Sequence, residues 1–477
     1  MTLSLQPEHL KRYAQIGRLL VKYGRADFVR DAGLDELLRE EEDADAGEPA
    51  EAPAAEELAS DLERLGPTFI KLGQLLSTRA DLLPPAYVEA LSRLQDDVEP
   101  FDFAEVERIV TSELGVRLSK AFTTFEPTPM AAASLGQVHR ATLRGGREVA
   151  VKVQRPHIRE QIAEDLDAMD ELAGVLDAHT DFGRRYGLGE VVEEFRKTLL
   201  RELDYRLEAQ NLNTLADHLA SFERIVVPRP VESYTTSRVL TMEYVAGHKV
   251  TELGPLTRME VDTADLAETL FRAYLKQILV DGFFHADPHP GNVLVTSDGR
   301  LGLIDVGMVG YVAPAMQLSL LKLLLAISEG RGEEAADLAL RIGEPLRDFD
   351  AADFTRQVST LVASLQGATA RQIEIGRIVV QLSRGAGEAG VRLPPELTTL
   401  GKTLLALDQV GRTLDPDFDP NASIRRNAAE MMQRRMRKQA SPANLLSTAL
   451  EMNELVQQLP SRANQVLETL AENRLRV

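Results

Sequence analysis

The chain contains no cysteine. Disulfide scaffolds and thiolate metal centres are therefore excluded, and the usage fits a reducing, cytoplasmic compartment. It also lacks any run of about 18 apolar residues, the length a membrane-crossing helix needs. The longest apolar candidate, "LSLLKLLLAIS" (318–328), is short, holds Lys322 and reads as a core helix. The opening residues, "MTLSLQPEHLKRYAQIGRLLVKYG", have neither the apolar centre nor the cleavage site of a secretion signal. Positive charge is in deficit: 54 Lys and Arg against 74 Asp and Glu leave a formal charge of −20. A surface of that sign repels nucleic acid overall, so no nucleic-acid partner is expected. What remains is 477 residues with 44% apolar content, enough for two or three domains or one large two-lobed unit with a real core. No internal repeat is visible.

The pattern along the chain changes several times. Residues 1–38 hold an amphipathic helix. Residues 39–57, "REEEDADAGEPAEAPAAEE", are acidic, rich in Ala and Pro and without periodicity, and are expected to form a flexible linker. Residues 58–95 are helical in pattern with a stop at Pro84-Pro85. "FDFAEVERIVTSELG" (101–115) is a further helix closed by Gly115. A helical extension over 58–125 is expected. "LGQVHRATLRGGREVAVKVQRP" then alternates apolar and polar residues around Gly145-Gly146, a hairpin signature. Helical text runs from about 157 to 220, and "RIVVPRPVESYTTSRVLTMEYVAG" (224–247) again reads as strands. From about 258 the chain is nearly all helix. Strands early and helices late imply an α+β fold: a small sheet-bearing lobe (126–247) with inserted helices, a helical lobe (248–440) and a helical tail (441–477).

The break in the late helical text is "FFHADPHPGNVLVTSDGRLGLIDVGMVG" (283–310). His285 and His289 are four apart, as metal ligands on a helix are, but Pro288 and Pro290 disfavour a regular helix, and zinc needs a third ligand. An ordinary loop is the bland alternative. A phosphoryl-transfer site explains more residues. "NVLV", "SDG" and "LGLID" read as strand, turn and strand, which brings Asp287, Asn292 and Asp305 together. One carboxylate orients or deprotonates the acceptor, and an amide and a second carboxylate hold Mg²⁺ against phosphates. The kinase pattern H-R-D-x-x-x-x-N followed by D-F-G reads here as His285-Ala286-Asp287, Asn292 and Asp305-Val306-Gly307. Upstream, Val149-Ala150-Val151-Lys152 is similar to the strand that carries a phosphate-anchoring lysine. A lysine leaning inward needs an acid, and "RELDYRLEAQN" (201–211), read as one helical stretch, offers Glu202, Asp204 and Glu208. Glu202 and Asp204, two apart, point to different sides of such a helix.

The phosphate-covering turn is the oddity. In place of G-x-G-x-x-G-x-V stands Ala131-Ala132-Ala133-Ser134-Leu135-Gly136-Gln137-Val138, keeping only the third glycine. Alanine favours helical turns and withholds the backbone freedom of glycine, so a nucleotide is expected to be held differently, with a helix N-terminus as one source of donors.

Taken together these motifs resemble the UbiB family of atypical kinase-like proteins, the AarF/ADCK type linked to coenzyme Q biology. "FIKLGQLLSTRADLLP" (69–84) is similar to its K-x-G-Q motif, at Lys71, Gly73 and Gln74. "PMAAASLGQVH" is similar to its alanine-rich loop, "RELDYRLEAQN" to its E-x-D motif at Glu202 and Asp204, and "FHADPHPGN" and "LIDVG" to its catalytic and metal loops. The resemblance is close over about 58–320. It implies a protein-kinase-like fold whose K-x-G-Q helices cover the active site, with Glu202 and Asp204 facing that extension and Glu208 paired to Lys152. It implies that Lys152 anchors phosphates, Asp287 acts as base or acceptor-orienting group, and Asn292 and Asp305 bind Mg²⁺. Ala131, Ala132, Ala133, Ser134, Gly136 and Val138, with Glu243 and Val245, are assigned to the nucleotide, ATP or ADP. Lys71 and Gln74 are expected to reach into the pocket as restraints, and His285 and His289 to shape the loop. A lipid or quinone precursor is the implied partner, at a membrane surface. Many relatives continue past "LPSRANQVLETLAENRLRV" (459–477) into an apolar hairpin that this sequence does not show. Lys11, Arg12, Arg18, Lys22 and Arg25 of the first helix, and the basic "RRNAAEMMQRRMRKQ" (425–439), are the candidates for an anionic surface, or else for packing on the domain. A small-molecule phosphotransferase of the aminoglycoside or choline kinase sort, which favours H-x-D-x-H-x-x-N but lacks "KLGQ" and "ELD", is the second reading. A non-catalytic scaffold is the third, and the presence of Lys152, Asp287 and Asp305 counts against it.

Overall fold

The alternation in "EVAVKVQ" resolves into a strand with two different faces. Val149, Val151 and Val153 are fully buried against Ile109, Val110 and Phe122, each contributing roughly 1.5–3 kcal/mol through buried apolar surface. Ala150 joins a second core with Tyr205 and Leu240. Lys152 shares its side of the pleat, because residues two apart point the same way.

The computed structural model describes residues 7–23 and 51–439, except 78–82, 84, 93, 95–97, 181–182, 184–186, 255–257, 259, 346–348 and 365–374. The tail expected at 441–477 and most of the linker lie outside the described residues. The first helices are α1 (Pro7–Tyr23), α2 (Glu51–Leu65), α3 (Pro67–Leu76), α4 (Pro85–Ser92), α5 (Phe103–Leu114) and the short α6 (Leu118–Ala121). The start of α2 at Glu51 corrects the linker reading: residues 51–57 are helical, and Ala54, Ala55 and Ala59 are buried. Alanine's high helix propensity outweighs the acidic composition there.

The sheet-bearing lobe holds β1 (Phe122–Phe125), β2 (Ala131–Ala132), β3 (Gly136–Leu143) and β4 (Glu148–Gln154). The insertion follows: α7 (Ile158–His179), α8 (Leu188–Glu202) and α9 (Tyr205–His218), then β5 (Ile225–Val226), β6 (Val239–Glu243) and β7 (Gly247–Lys249). The first sheet has the order β1-β3-β4-β6, with β2 on the far side of β3's start. The helical lobe holds α10 (Thr263–Lys276), β8 (Phe283–His285), β9 (Val293–Thr296), β10 (Leu301–Leu303), β11 (Val309–Tyr311) and α11 (Pro314–Ser328). After it come α12 (Gly332–Ile342), α13 (Ala351–Ala363), α14 (Ile375–Glu388), α15 (Pro395–Leu414) and α16 (Pro420–Gln439). α11 carries the apolar run and is largely buried, the core helix its sequence implied.

The strands of 224–247 do not stay in one lobe. β5 and β7 join a second sheet in the order β5-β10-β9-β7, while β6 closes the first. The lobe boundary expected at 247 is therefore crossed by backbone hydrogen bonding. The covering helices α2 to α4 pack on the insertion: Leu62, Phe69 and Leu91 share one core with Ile158, Leu166, Phe195 and Leu199. Gly73 permits that closeness, since a Cβ there would collide with Leu94 and crowd Leu62. α1 packs here too. Tyr13 is buried, and Arg12 pairs with buried Asp165 at 2.6 Å. Lys22 bonds Glu57 at 2.7 Å and Asp61 at 2.9 Å. Arg12 and Lys22 are thus engaged within the protein rather than offered to an anionic surface. Arg18 is exposed, and Lys11 and Arg25 have no described side chain.

Candidate active site

Three elements distant in sequence converge on one ammonium. Lys152 Nζ, projecting from β4, donates to Glu208 Oε2 at 2.9 Å and Oε1 at 3.1 Å. It reaches Asp305 Oδ1, in the segment after β10, at 3.4 Å. The ring of Tyr205 lies beneath it, 5.3 Å from centroid to Nζ. Lys152 and Glu208 are largely buried, whereas the Asp305 side chain is 48% exposed and opens outward. Burial works against the Lys152 ammonium, and Asp305 and Glu208 more than offset it, so its pKa stands well above the ordinary lysine value. Burial pushes the Glu208 carboxyl up to about 7, against the pull of Lys152. Lys152 holds the Asp305 carboxyl below the ordinary value.

Glu208 reaches the lysine because of a correction to the sequence reading. "RELDYRLEAQN" is two helices, not one: α8 ends at Glu202, and α9 starts at Tyr205 with Asp204 as its N-cap. The Asp204 side chain accepts from the Arg206 N–H and pairs with its guanidinium at 2.7 Å. A short polar side chain that caps a new helix competes with continuation of the old one. Glu202 pairs with Lys71 of α3 at 3.0 Å, as a residue facing the extension should, while Asp204 turns to its own helix. Lys71 lies near enough to help lower the Asp305 pKa. Gln74 turns to the Leu94 carbonyl at 3.3 Å.

The catalytic-type loop is held by backbone and buried side chains. His285 is fully buried; its N–H donates to Gln277 Oε1 at 3.0 Å, and its Nδ1 accepts from the Asp287 N–H at 3.4 Å. Burial lowers the His285 pKa. His289 Nδ1 accepts from the Gly291 N–H at 3.1 Å. Both histidines thus spend ring nitrogens on the loop. Asn292 Nδ2 donates to the Asp287 carbonyl at 3.3 Å and to its carboxylate at 3.5 Å. Its amide oxygen is then the atom left to face a cation. Asp305 takes φ +58°, a left-handed conformation uncommon for a residue with a side chain. Such strain concentrates at functional sites. An ionised, half-exposed carboxylate and an amide oxygen are the hard donors that Mg²⁺ prefers, so these residues fit that ion.

The alanine-rich loop corrects a second expectation. Ala131-Ala132 form a strand paired to β3 through Val138 and Gln137, not a helical turn. Ala133 N–H donates to the Gly136 carbonyl at 2.7 Å, closing a tight turn with buried Ser134 at its bend. Ladder partners override the helix propensity of alanine. The surviving Gly136 is there for room: a Cβ would lie 2.5 Å from the Tyr205 hydroxyl and from the Val153 carbonyl oxygen. Val138 opposes Lys152 across the β3–β4 ladder. Glu243 sits at the far end of β6, paired to Arg147 and accepting from the Arg229 N–H. Val245 packs against Gly302 of β10.

Two residues that sequence reasoning passed over touch this region. Lys402 of α15 donates to Ser77 Oγ at 2.8 Å and is acted on by Asp287. Thr403 Oγ1 donates to the Ala286 carbonyl at 2.9 Å. Their partners lie more than 100 positions away, so no local feature of the sequence marks either residue.

Family models match twice: the ABC1 atypical kinase-like domain over residues 93–338 and the UbiB helical domain over 358–419. An uncharacterized Synechocystis sp. protein, sll1770, is 36% identical over 79% of this chain, which spans 64% of that relative's length. "Probable protein kinase UbiB" of Marinobacter nauticus is 35% identical over 81% of this chain and 71% of its own. The Azotobacter vinelandii protein of the same name is 33% identical over 88% and 79%. Among solved structures, Rv3197 of Mycobacterium tuberculosis in complex with erythromycin matches with a TM-score of 0.50 and 28% identity, covering 77% of this chain and 97% of that one. The kinase-like fold is thus shared with a solved relative.

Proposed function

Because the chain belongs to the family of ABC1 atypical kinase-like proteins and carries its UbiB helical domain, we propose that it is a Mg²⁺-dependent nucleotide enzyme, a phosphotransferase or ATPase, supporting quinone or isoprenoid lipid metabolism at a membrane. The observation that carries this reading is the convergence of Glu208 and Asp305 on the Lys152 ammonium. Lys152 binds the α- and β-phosphates of ATP or ADP, and Glu208 orients it. The β2–β3 turn from Ala131 to Gly136 lines the phosphates. Asn292 and Asp305 hold Mg²⁺, which when bound neutralises charge on the phosphoryl oxygens. Asp287 orients the acceptor, a lipid-like hydroxyl or water, and takes its proton. The Lys71–Glu202 pair holds α3 over this site and restrains access by a protein substrate. The family matches do not favour an aminoglycoside- or choline-kinase-like enzyme. Among the described residues no helix is long and apolar enough to cross a membrane.

Thermal denaturation with Mg-ATP and Mg-ADP tests the reading. Ligand at one hundred times its Kd adds about 2.7 kcal/mol to stability. Asp305→Asn is expected to lose that gain while keeping its own fold, since Asn accepts the left-handed conformation. A wild-type protein indifferent to both nucleotides removes the proposal.

A further inference from the structure

Lys402 and its partner Ser77 are 325 positions apart. Ser77 is the C-cap of α3, the covering helix. Thr403, the next residue, is fully buried and bonded to the carbonyl of Ala286, the residue before Asp287. One turn of α15 therefore touches both the covering helix and the catalytic-type loop. Among the described residues the Ser77 hydroxyl from α3 bonds the Lys402 amine, and Asp287 of that loop is the charged group whose field acts on it; the flanking residues on its own helix, Thr399 and Thr403, are uncharged. Burial lowers the amine to about 7 despite the attraction of Asp287. Lys402 is half-buried on a helix whose neighbouring positions Thr403 and Leu404 are in the core, and among the described residues the Ser77 hydroxyl is its hydrogen-bond partner.

We propose that Lys402 is a positioning residue: it ties the end of the covering helix at Ser77 to α15, whose next residue holds the catalytic loop at the Ala286 carbonyl, and so fixes the placement of Asp287. The inference rests on the reading of Asp287 given above. It adds to the site a cation supplied by the UbiB helical domain. Lys402 is not placed on the nucleotide, so its loss lowers turnover rather than nucleotide affinity.

The test uses the full chain as wild type, Lys402→Arg and Lys402→Met. Mg-ATP hydrolysis is followed from pH 6 to 9, with hydrogen exchange of residues 283–296 measured without nucleotide. The ammonium is the working form, so wild-type kcat falls as pH rises through about 7. Arginine stays charged throughout that range, and Glu208 titrates alike in both proteins, so the ratio of Lys402→Arg to wild-type kcat rises as pH passes through about 7. Lys402→Met lowers kcat by on the order of 10²-fold, the scale of a misplaced catalytic group, with KM for Mg-ATP little changed and faster exchange at 283–296. A Lys402→Arg protein whose kcat follows the wild-type curve overturns the proposal. So does Lys402→Met with wild-type turnover and wild-type exchange. If the wild type neither binds nor hydrolyses Mg-nucleotide, the enzymatic reading fails on its own, and exchange decides Lys402. Faster exchange in Lys402→Met that Lys402→Arg restores sustains the tether, and unchanged exchange ends it.

Discussion

Glu208 is held where its charge is resisted. Its carboxyl has an ordinary value of 4.5 and is pushed up to about 7 by burial, with Lys152 pulling the other way. Between those two pH values the folded chain keeps a proton that the unfolded chain has lost. Stability from this residue is therefore full below about 4.5 and is withdrawn as pH rises through about 7. Glu208→Gln removes the dependence. Its loss of melting temperature against wild type is expected to be greatest near pH 5 and to shrink by pH 8. A gap that widens with pH in a series of thermal melts would refute the burial argument. Lys152, Glu208, Asp287, Asn292 and Asp305 were legible as candidates because each sits in a short local motif whose chemistry dictates residue type. Lys402 was not. In "TLGKTLLALDQVG" it reads as a solvated lysine on a helix, and nothing within four residues announces Ser77 or Asp287.

Among elements, β4 and its neighbours were the easiest to read. Alternation over "EVAVKVQ" and the Gly145-Gly146 turn is a period-2 signal that survives in the sheet as β3 paired to β4. Two elements were misread for reasons that are also physical. The α8–α9 break depends on Asp204 choosing the cap role over the helix interior, a choice made by the direction α9 must take to bring Glu208 under Lys152. The Ala131-Ala132 strand exists only because Val138 and Gln137 offer it a ladder. The turn between them is expected to be intolerant of bulk. Gly136→Ala should destabilise the fold by about 1–3 kcal/mol, the usual penalty for overpacking, because its methyl meets the Tyr205 hydroxyl and the Val153 carbonyl. Urea titration measures this, and a midpoint equal to wild type would mean that α9 can back away from the sheet. Equal stability in Ala and wild type would also weaken the case that the turn is built to fixed clearance.

At the scale of the whole molecule, β5 pairs in the second sheet although it precedes the first sheet's last strand in the chain, and the covering helices dock on the insertion and on Leu135 of the β2–β3 turn. The two-lobed plan was readable from strands early and helices late; the exchange of β5 and β7 between lobes was not, because pairing between residues 225 and 301 leaves no local trace. The N-terminal helix is fastened by the same logic. Arg12 satisfies Asp165, which also accepts from Thr68 at the start of α3. Arg12→Ala leaves that buried carboxylate with the Thr68 hydroxyl as its remaining described donor and is expected to cost roughly 3–5 kcal/mol, as breaking a buried pair commonly does. Calorimetry of the full chain reads it, and a loss below about 1 kcal/mol would class the contact with surface pairs.

The ladder between β5 and β10 also sets an order of assembly. On a ribosome the first sheet is complete once Glu243 has emerged, but the second must wait for Leu303, and the Ala286 carbonyl waits for Thr403. For the interval between, the nascent chain carries two unpaired strands, β5 and β7, which is the state in which chains of this size are prone to wrong association. Slow translation through 250–303 would lengthen that exposure, and a chaperone acting there would shorten it.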